Sequence, residues 1–308
     1  MGPSGYRRIA SDGSESLGAF VEGPFINPAK NGIHKLSVLR SPTNGLSDLE
    51  DCYGSSNLNP TTSTIRLFNQ APELPGALET IHALKARSFK VAIGHSAATY
   101  EQARAAINAG GSMITHLFNA MEPLHHRNPG IFGLLGTQSA PTIKKPFFGV
   151  IADGIHLHPT AINIAWNAHP EGFILVTDAM PLLGLPDGTY EWTNGDRIIM
   201  RGPMLILEGT DKIAGSSITL LGCVNNFLKW SGVSIAHALG TVTSTPARML
   251  DLETTKGCLN PEADADLVVL EDFADEHGSQ QVRLCQVWKF GECVFDDSGD
   301  EVNHCSWS

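Results

Sequence analysis

A short apolar, β-prone run followed by a turn or a helical stretch recurs six times along the chain, at 17–21, 65–68, 89–93, 113–115, 147–152 and 173–177. Five of the six give way to an ionisable residue: Glu22, His95, His116, the pair Asp153 and His156, and Asp178. Continuous apolar runs of this length alternating with helical stretches are the rhythm of parallel β/α units. The spacing predicts helices over 76–87, with Leu78, Ile81 and Leu84 on one face, and over 100–109, with Thr99 as N-cap and Gly110 and Gly111 as the stop. Two shorter helices are expected at 234–239 and 246–250, beyond a glycine-punctuated stretch that follows Asp178. Strands at 265–270 and 286–295 read as a separate small β-layer.

In an α/β barrel of this kind the carboxyl ends of the strands form one rim, and chemistry collects there. Glu22, His95 and His116 would then offer a carboxylate oxygen and two imidazole nitrogens, a donor set suited to one catalytic divalent ion with an open position. That set accepts Zn, Fe, Co or Mn alike. Any one histidine after a strand is more often a capping or core residue, so the reading rests on the three together. Asp178 is placed to take a proton from an activated water and return it to a leaving nitrogen, although an aspartate after a strand also suits a helix N-cap. Beyond His116, Arg127 and the neighbouring backbone amides suit a phosphate, the alternative being a loop arginine in a surface ion pair. His34 and His156 are further candidates for polarising a carbonyl or holding hydroxyls.

The chain of 308 residues carries 32 acidic against 21 basic side chains, a net charge of −11, which argues against nucleic acid as a partner. No apolar run approaches the ~20 residues that cross a bilayer, so no membrane partner is expected. Six scattered cysteines without a CxxC pair indicate reduced thiols and a cytoplasmic location.

The segments Val-Glu22-Gly-Pro-Phe, Gly-His95-Ser, Thr-His116-Leu-Phe-Asn-Ala-Met, Ala-Asp-Gly-Ile-His156 and Val-Thr-Asp178-Ala resemble, in order and spacing, the N-acetylglucosamine-6-phosphate deacetylase family of the amidohydrolase superfamily. Gly257-Cys-Leu and the acidic-apolar stretch from Ala263 extend the likeness over residues 17–295. The resemblance implies metal-dependent removal of acetate from N-acetyl-D-glucosamine 6-phosphate in amino-sugar catabolism. By position, Glu22, His95 and His116 would hold the metal, Asp178 would be the acid/base, and His34 would help polarise the acetyl carbonyl. Substrate contacts would fall at Ile33, His34, Asn119, Ala120, Arg127, Asp153, Gly154, Ile155, His156, Ile213, Ala214 and Gly215. The family's arginine at the position of Arg127 reaches a neighbouring subunit's site, which implies a homodimer.

Against that pattern the expected fold is an α/β, (β/α)8-type hydrolase barrel lacking its first two strands, with a remnant of a small β-sandwich domain at the C-terminus. The expected organisation is a disordered lead at 1–16, a partial barrel at 17–255, strands of the small domain at 256–296 and a tail at 297–308. A second reading is a catalytically impaired sugar-phosphate-binding or interaction subunit.

Overall fold

The computed structural model describes residues 14–137, 145–192 and 195–297. Residues 1–13 of the expected lead, 298–308 of the expected tail, and Cys305 lie outside these. The five cysteines among the described residues are free thiols.

Six parallel strands lie side by side in chain order: β1 (Ala19–Val21), β2 (Ile65–Gln70), β3 (Lys90–Ile93), β4 (Met113–Ile114), β5 (Phe147–Ile151) and β6 (Phe173–Val176). Spatial order equal to chain order makes the sheet an arc of a β/α barrel. Helices α1 (Leu46–Tyr53), α2 (Ala77–Ala86), α3 (Tyr100–Ala109) and α4 (Pro159–Ala168) fill four of the five crossovers, and a 3₁₀ turn at Ile131–Gly136 lies in the one between β4 and β5. The α3 boundaries match the sequence reading because its ends are chemically specified. Thr99 accepts the Gln102 amide while the Gln102 side chain accepts the Thr99 amide, and Gly110 closes the C-terminus.

Side chains alternate across the sheet with the period of two that strands impose. Phe68, Val91, Ile93, Ile114, Phe148 and Phe173 join the main core with the helices, whereas Leu67, Ala92, Met113 and Ile174 form a second buried cluster with Met249. The second set is the packed interior of the barrel arc, plugged by Met249. Among the described residues no strand pairs with the outer edge of β1, where Leu17 and Phe20 are exposed.

After β6 the chain departs from the simple rhythm. Strands β7 (Gly188–Glu191), β8 (Arg197–Arg201), β9 (Met204–Leu207) and β10 (Ile213–Ser216) form a four-stranded antiparallel sheet within the glycine-punctuated stretch. Helices α5 (Leu220–Ser231), α6 (Ile235–Gly240) and α7 (Ser244–Met249) follow. The last sheet comprises β11 (Leu267–Ala274), β12 (Gln280–Lys289) and β13 (Glu292–Asp296), antiparallel throughout. The single strand expected at 286–295 is therefore a hairpin. Its two-residue turn, Phe290 and Gly291, has positive φ at both positions, the primed geometry that matches strand twist. Asn225 of α5 docks this sheet by accepting the Val282 amide and donating to the Val282 carbonyl, both at 2.9 Å.

Candidate metal centre and active site

Glu22, His95 and His116 project just beyond β1, β3 and β4, and their donor atoms lie within 4.8 Å of one another. The two Nε2 atoms are 3.0 Å apart, His116 Nε2 is 3.5 Å from Glu22 Oε1, and His95 Nε2 touches the same oxygen. Donors bound tetrahedrally at 2.0–2.1 Å stand about 3.3 Å from each other, so this spacing fits one divalent ion. The tautomer fits as well. His95 Nδ1 lies 2.6 Å from the Lys30 carbonyl, which can only accept, so Nδ1 carries a proton and Nε2 is the nitrogen turned toward the centre. His116 Nδ1 is buried without a hydrogen-bond partner, leaving that ring oriented by packing and by its contacts at Nε2.

The electrostatics favour a cation at this point. Burial pushes the Glu22 carboxyl up, but hydrogen bonds from His116, His34 and His95 outweigh it and hold the group far below the ordinary carboxylate range. Burial of the His116 ring disfavours its charge, yet the Glu22 bond and the charges of Glu22 and Asp178 drive its pKa up overall. The other group of clustered carboxylates, Glu15, Asp264 and Asp266, already surrounds a cation, the ammonium of Lys256.

Backbone strain concentrates here. His95, His116, Phe118, Ala120 and Asp178 all have positive φ, a region that costs residues with a Cβ energy and persists only where surroundings enforce it. Asp178 is exposed on such a turn after β6 and caps no helix; its carbonyl accepts the Ser216 amide of β10 at 2.9 Å. Gly215, one residue earlier on β10, permits that approach: a Cβ there would sit 3.0 Å from the Asp178 oxygen and 2.8 Å from Met180 Cγ.

The structure brings His34 into the same group, with Nε2 3.6 Å from Glu22 Oε1 and its ring edge-on to His95 at 5.4 Å. Ile33 and Ala214 meet on the cluster around Met180 and Leu182, joining the loop after β1 to β10, while Ile213 is exposed. At the end of β5 the Asp153 carboxylate accepts the amides of Ile155 and His156 and lies 2.6 Å from His156 Nδ1. Burial opposes ionisation of Asp153, but these bonds hold its pKa below the usual value. Gly154 faces Trp230 in the intervening turn. Asn119 and Ala120 stand on the strained loop after His116, and Arg127 is exposed further along it, 2.9 Å from His126 Nε2. The structure thus gathers Glu22, His34, His95 and His116, with Asp178 within electrostatic reach of His116, while Asp153 and His156 form their own pair and Arg127 stands apart on its loop.

Two site residues escaped the sequence reading. Asn69, at the end of β2, bonds the ends of three neighbouring strands, one of them through Thr115. Glu73 accepts from Ser96, the Ala97 amide and Asn27, fastening the loop that follows His95. The available signal was that β2, like the other runs, ends on polar residues.

The chain belongs to the amidohydrolase family, whose profile matches residues 70–290. Within that class it resembles N-acetylglucosamine-6-phosphate deacetylases: those of Danio rerio (40% identical, 85% of this chain and 63% of the relative) and Mus musculus (43%, 84% and 62%). The chain therefore spans less than two thirds of the length of these curated relatives. Among solved structures, the Mycobacterium smegmatis N-acetyl-D-glucosamine-6-phosphate deacetylase superposes with a TM-score of 0.75 at 32% identity, over 90% of this chain and 69% of that one. A mutant of the same enzyme, solved in complex with N-acetyl-D-glucosamine-6-phosphate, gives a TM-score of 0.75 at 31% identity, covering 90% of this chain and 68% of that one. No helix among the described residues is long and apolar enough to cross a membrane.

Proposed function

We propose that this chain hydrolyses the acetamido group of N-acetyl-D-glucosamine 6-phosphate, releasing acetate and D-glucosamine 6-phosphate. The observation that carries the reading is the convergence of Glu22, His95 and His116 on one point, with Asp178 on the same rim. These three residues would hold a divalent ion, Zn, Fe, Co or Mn, which supplies Lewis acidity toward water and the amide carbonyl. Asp178 accepts the proton of the attacking water; the oxygen adds to the carbonyl carbon; the C–N bond breaks; Asp178 returns the proton to the departing amine. His34 donates toward the carbonyl oxygen as negative charge grows there.

For the substrate, Arg127 and the loop from Asn119 and Ala120 would take the phosphate, from the partner's side of a homodimer. Ile33, the stretch from Asp153 to His156, and the β10 residues Ile213, Ala214 and Gly215 would line the sugar site. A catalytic unit over 17–255 with a small β-unit over 256–296, acting in the cytoplasm, completes the proposal. Enzymatic quantification of acetate released from the phosphorylated sugar, alongside metal analysis of the purified chain, tests it. Turnover should vanish with chelator and return with a divalent ion, whereas a folded, metal-loaded protein that releases no acetate would overturn the reading.

A further inference from the structure

We infer that Asn69 is a positioning residue of the metal centre: from a strand that contributes no ligand, its carboxamide sets the spacing of the three strand ends that carry Glu22, His95 and His116. The inference rests on the proposed metal centre. Asn69 is fully buried. Its Nδ2 donates to the carbonyl of Glu22 itself at 3.0 Å and to that of Gly94, the residue before His95, at 3.3 Å. Its Oδ1 accepts from the hydroxyl of Thr115, the residue before His116, at 2.7 Å. One side chain thus bonds the backbone of one ligand and the immediate predecessors of the other two.

The surroundings are built around this amide. Asn69 lies two residues beyond Leu67 on the same face of β2, so it stands one layer above the buried apolar cluster of Leu67, Ala92 and Met113. A buried amide without partners costs roughly 1–3 kcal/mol, so an apolar residue would be the economical choice unless the bonds matter. Gly94 keeps the space open: a Cβ there would fall 2.6 Å from Thr115 Cβ and 3.1 Å from Asn69 Oδ1. The adjacent Gln70 looks to the opposite face, accepting from Thr80 of α2 at 2.7 Å, and makes a natural control for simple loss of a buried hydrogen bond.

The test compares Asn69→Leu, Thr115→Val and Thr80→Val with the unaltered chain. Zinc affinity is measured by chelator competition, the visible spectrum of the cobalt(II) form is recorded, and thermal unfolding of the metal-free protein is followed. Supporting outcomes are a loss of zinc affinity of about tenfold or more for Asn69→Leu, the scale typical of residues that orient ligands. Thr115→Val should lose about threefold, the value of one modest hydrogen bond. Both should alter the cobalt spectrum, whereas Thr80→Val lowers the melting temperature and leaves affinity and spectrum unchanged. Wild-type affinity and spectrum in Asn69→Leu, whatever its melting temperature, would overturn the inference. If that variant does not fold, unchanged zinc affinity in Thr115→Val overturns it instead. An unaltered chain that takes up no metal would fail both this inference and the metal centre beneath it.

Discussion

The carboxylate at position 178 is exposed on a left-handed turn whose carbonyl is bonded to Ser216, so its placement depends on main-chain contacts behind it. Asp178→Asn preserves that shape and removes the base. Acetate release should fall by roughly 10²–10⁴-fold, as expected for loss of general acid–base help, with metal content unchanged by elemental analysis. Loss of metal in that variant would mark Asp178 as a ligand instead. Gly215→Ala attacks the same turn from the opposite strand, since its φ of +141° and the 2.8 Å and 3.0 Å approaches to Met180 and Asp178 leave no room for a methyl group. Denaturant unfolding should register a loss of about 1–3 kcal/mol. The kcat should drop as the acid/base moves, and KM should rise with it, because Gly215 itself lines the proposed sugar site.

Among the elements, the C-terminal sheet is tied to the chain before it by charge: Asp266 faces the ammonium groups of Lys256 and Lys289 and accepts the Phe290 amide. Burial opposes its ionisation, but the bonds from the two lysines and from that amide bring its pKa down to about 2 from an ordinary 3.8. A carboxyl lowered on folding contributes stability above its unfolded pKa and loses it as pH falls through the folded value. Asp266→Asn should therefore be less stable than the parent at neutral pH, with the gap in unfolding midpoint closing between about pH 4 and pH 2; a gap independent of pH would refute the ionic origin. Which elements were legible follows from how each announces itself. The parallel strands are buried on both faces and read as unbroken apolar runs, and α3 carries its caps in Thr99, Gln102 and Gly110. By contrast α5 hides behind Gly222, Cys223 and two asparagines, all weak helix formers, and is held by packing of Val224, Phe227 and Leu228. The strands β7 to β10 are only 4–5 residues long between tight turns. Asn69 escaped because its role comes from three partners distant in sequence, a relation that no local pattern carries.

For the whole molecule, the ligand set was readable because each member follows a strand, whereas the closeness of His34 to Glu22 depends on the path of the loop between β1 and α1. The sheet also distributes its donors unequally. His95 and His116 stand on interior strands flanked on both sides, while Glu22 extends from β1, a three-residue strand paired on one side only among the described residues. A short strand paired on one side is expected to open more readily than its neighbours, and an opening of β1 would withdraw the carboxylate. An ion gripped by all three side chains would act as a rivet through the loosest plate of the assembly, slowing its departures by as much free energy as the third ligand adds to binding. Deuterium uptake at Ala19, whose amide is bonded to the Thr64 carbonyl, should slow on metal loading while uptake at Val91 stays as it was. Equal uptake at Ala19 with and without metal would mean that the carboxylate takes no part in the grip.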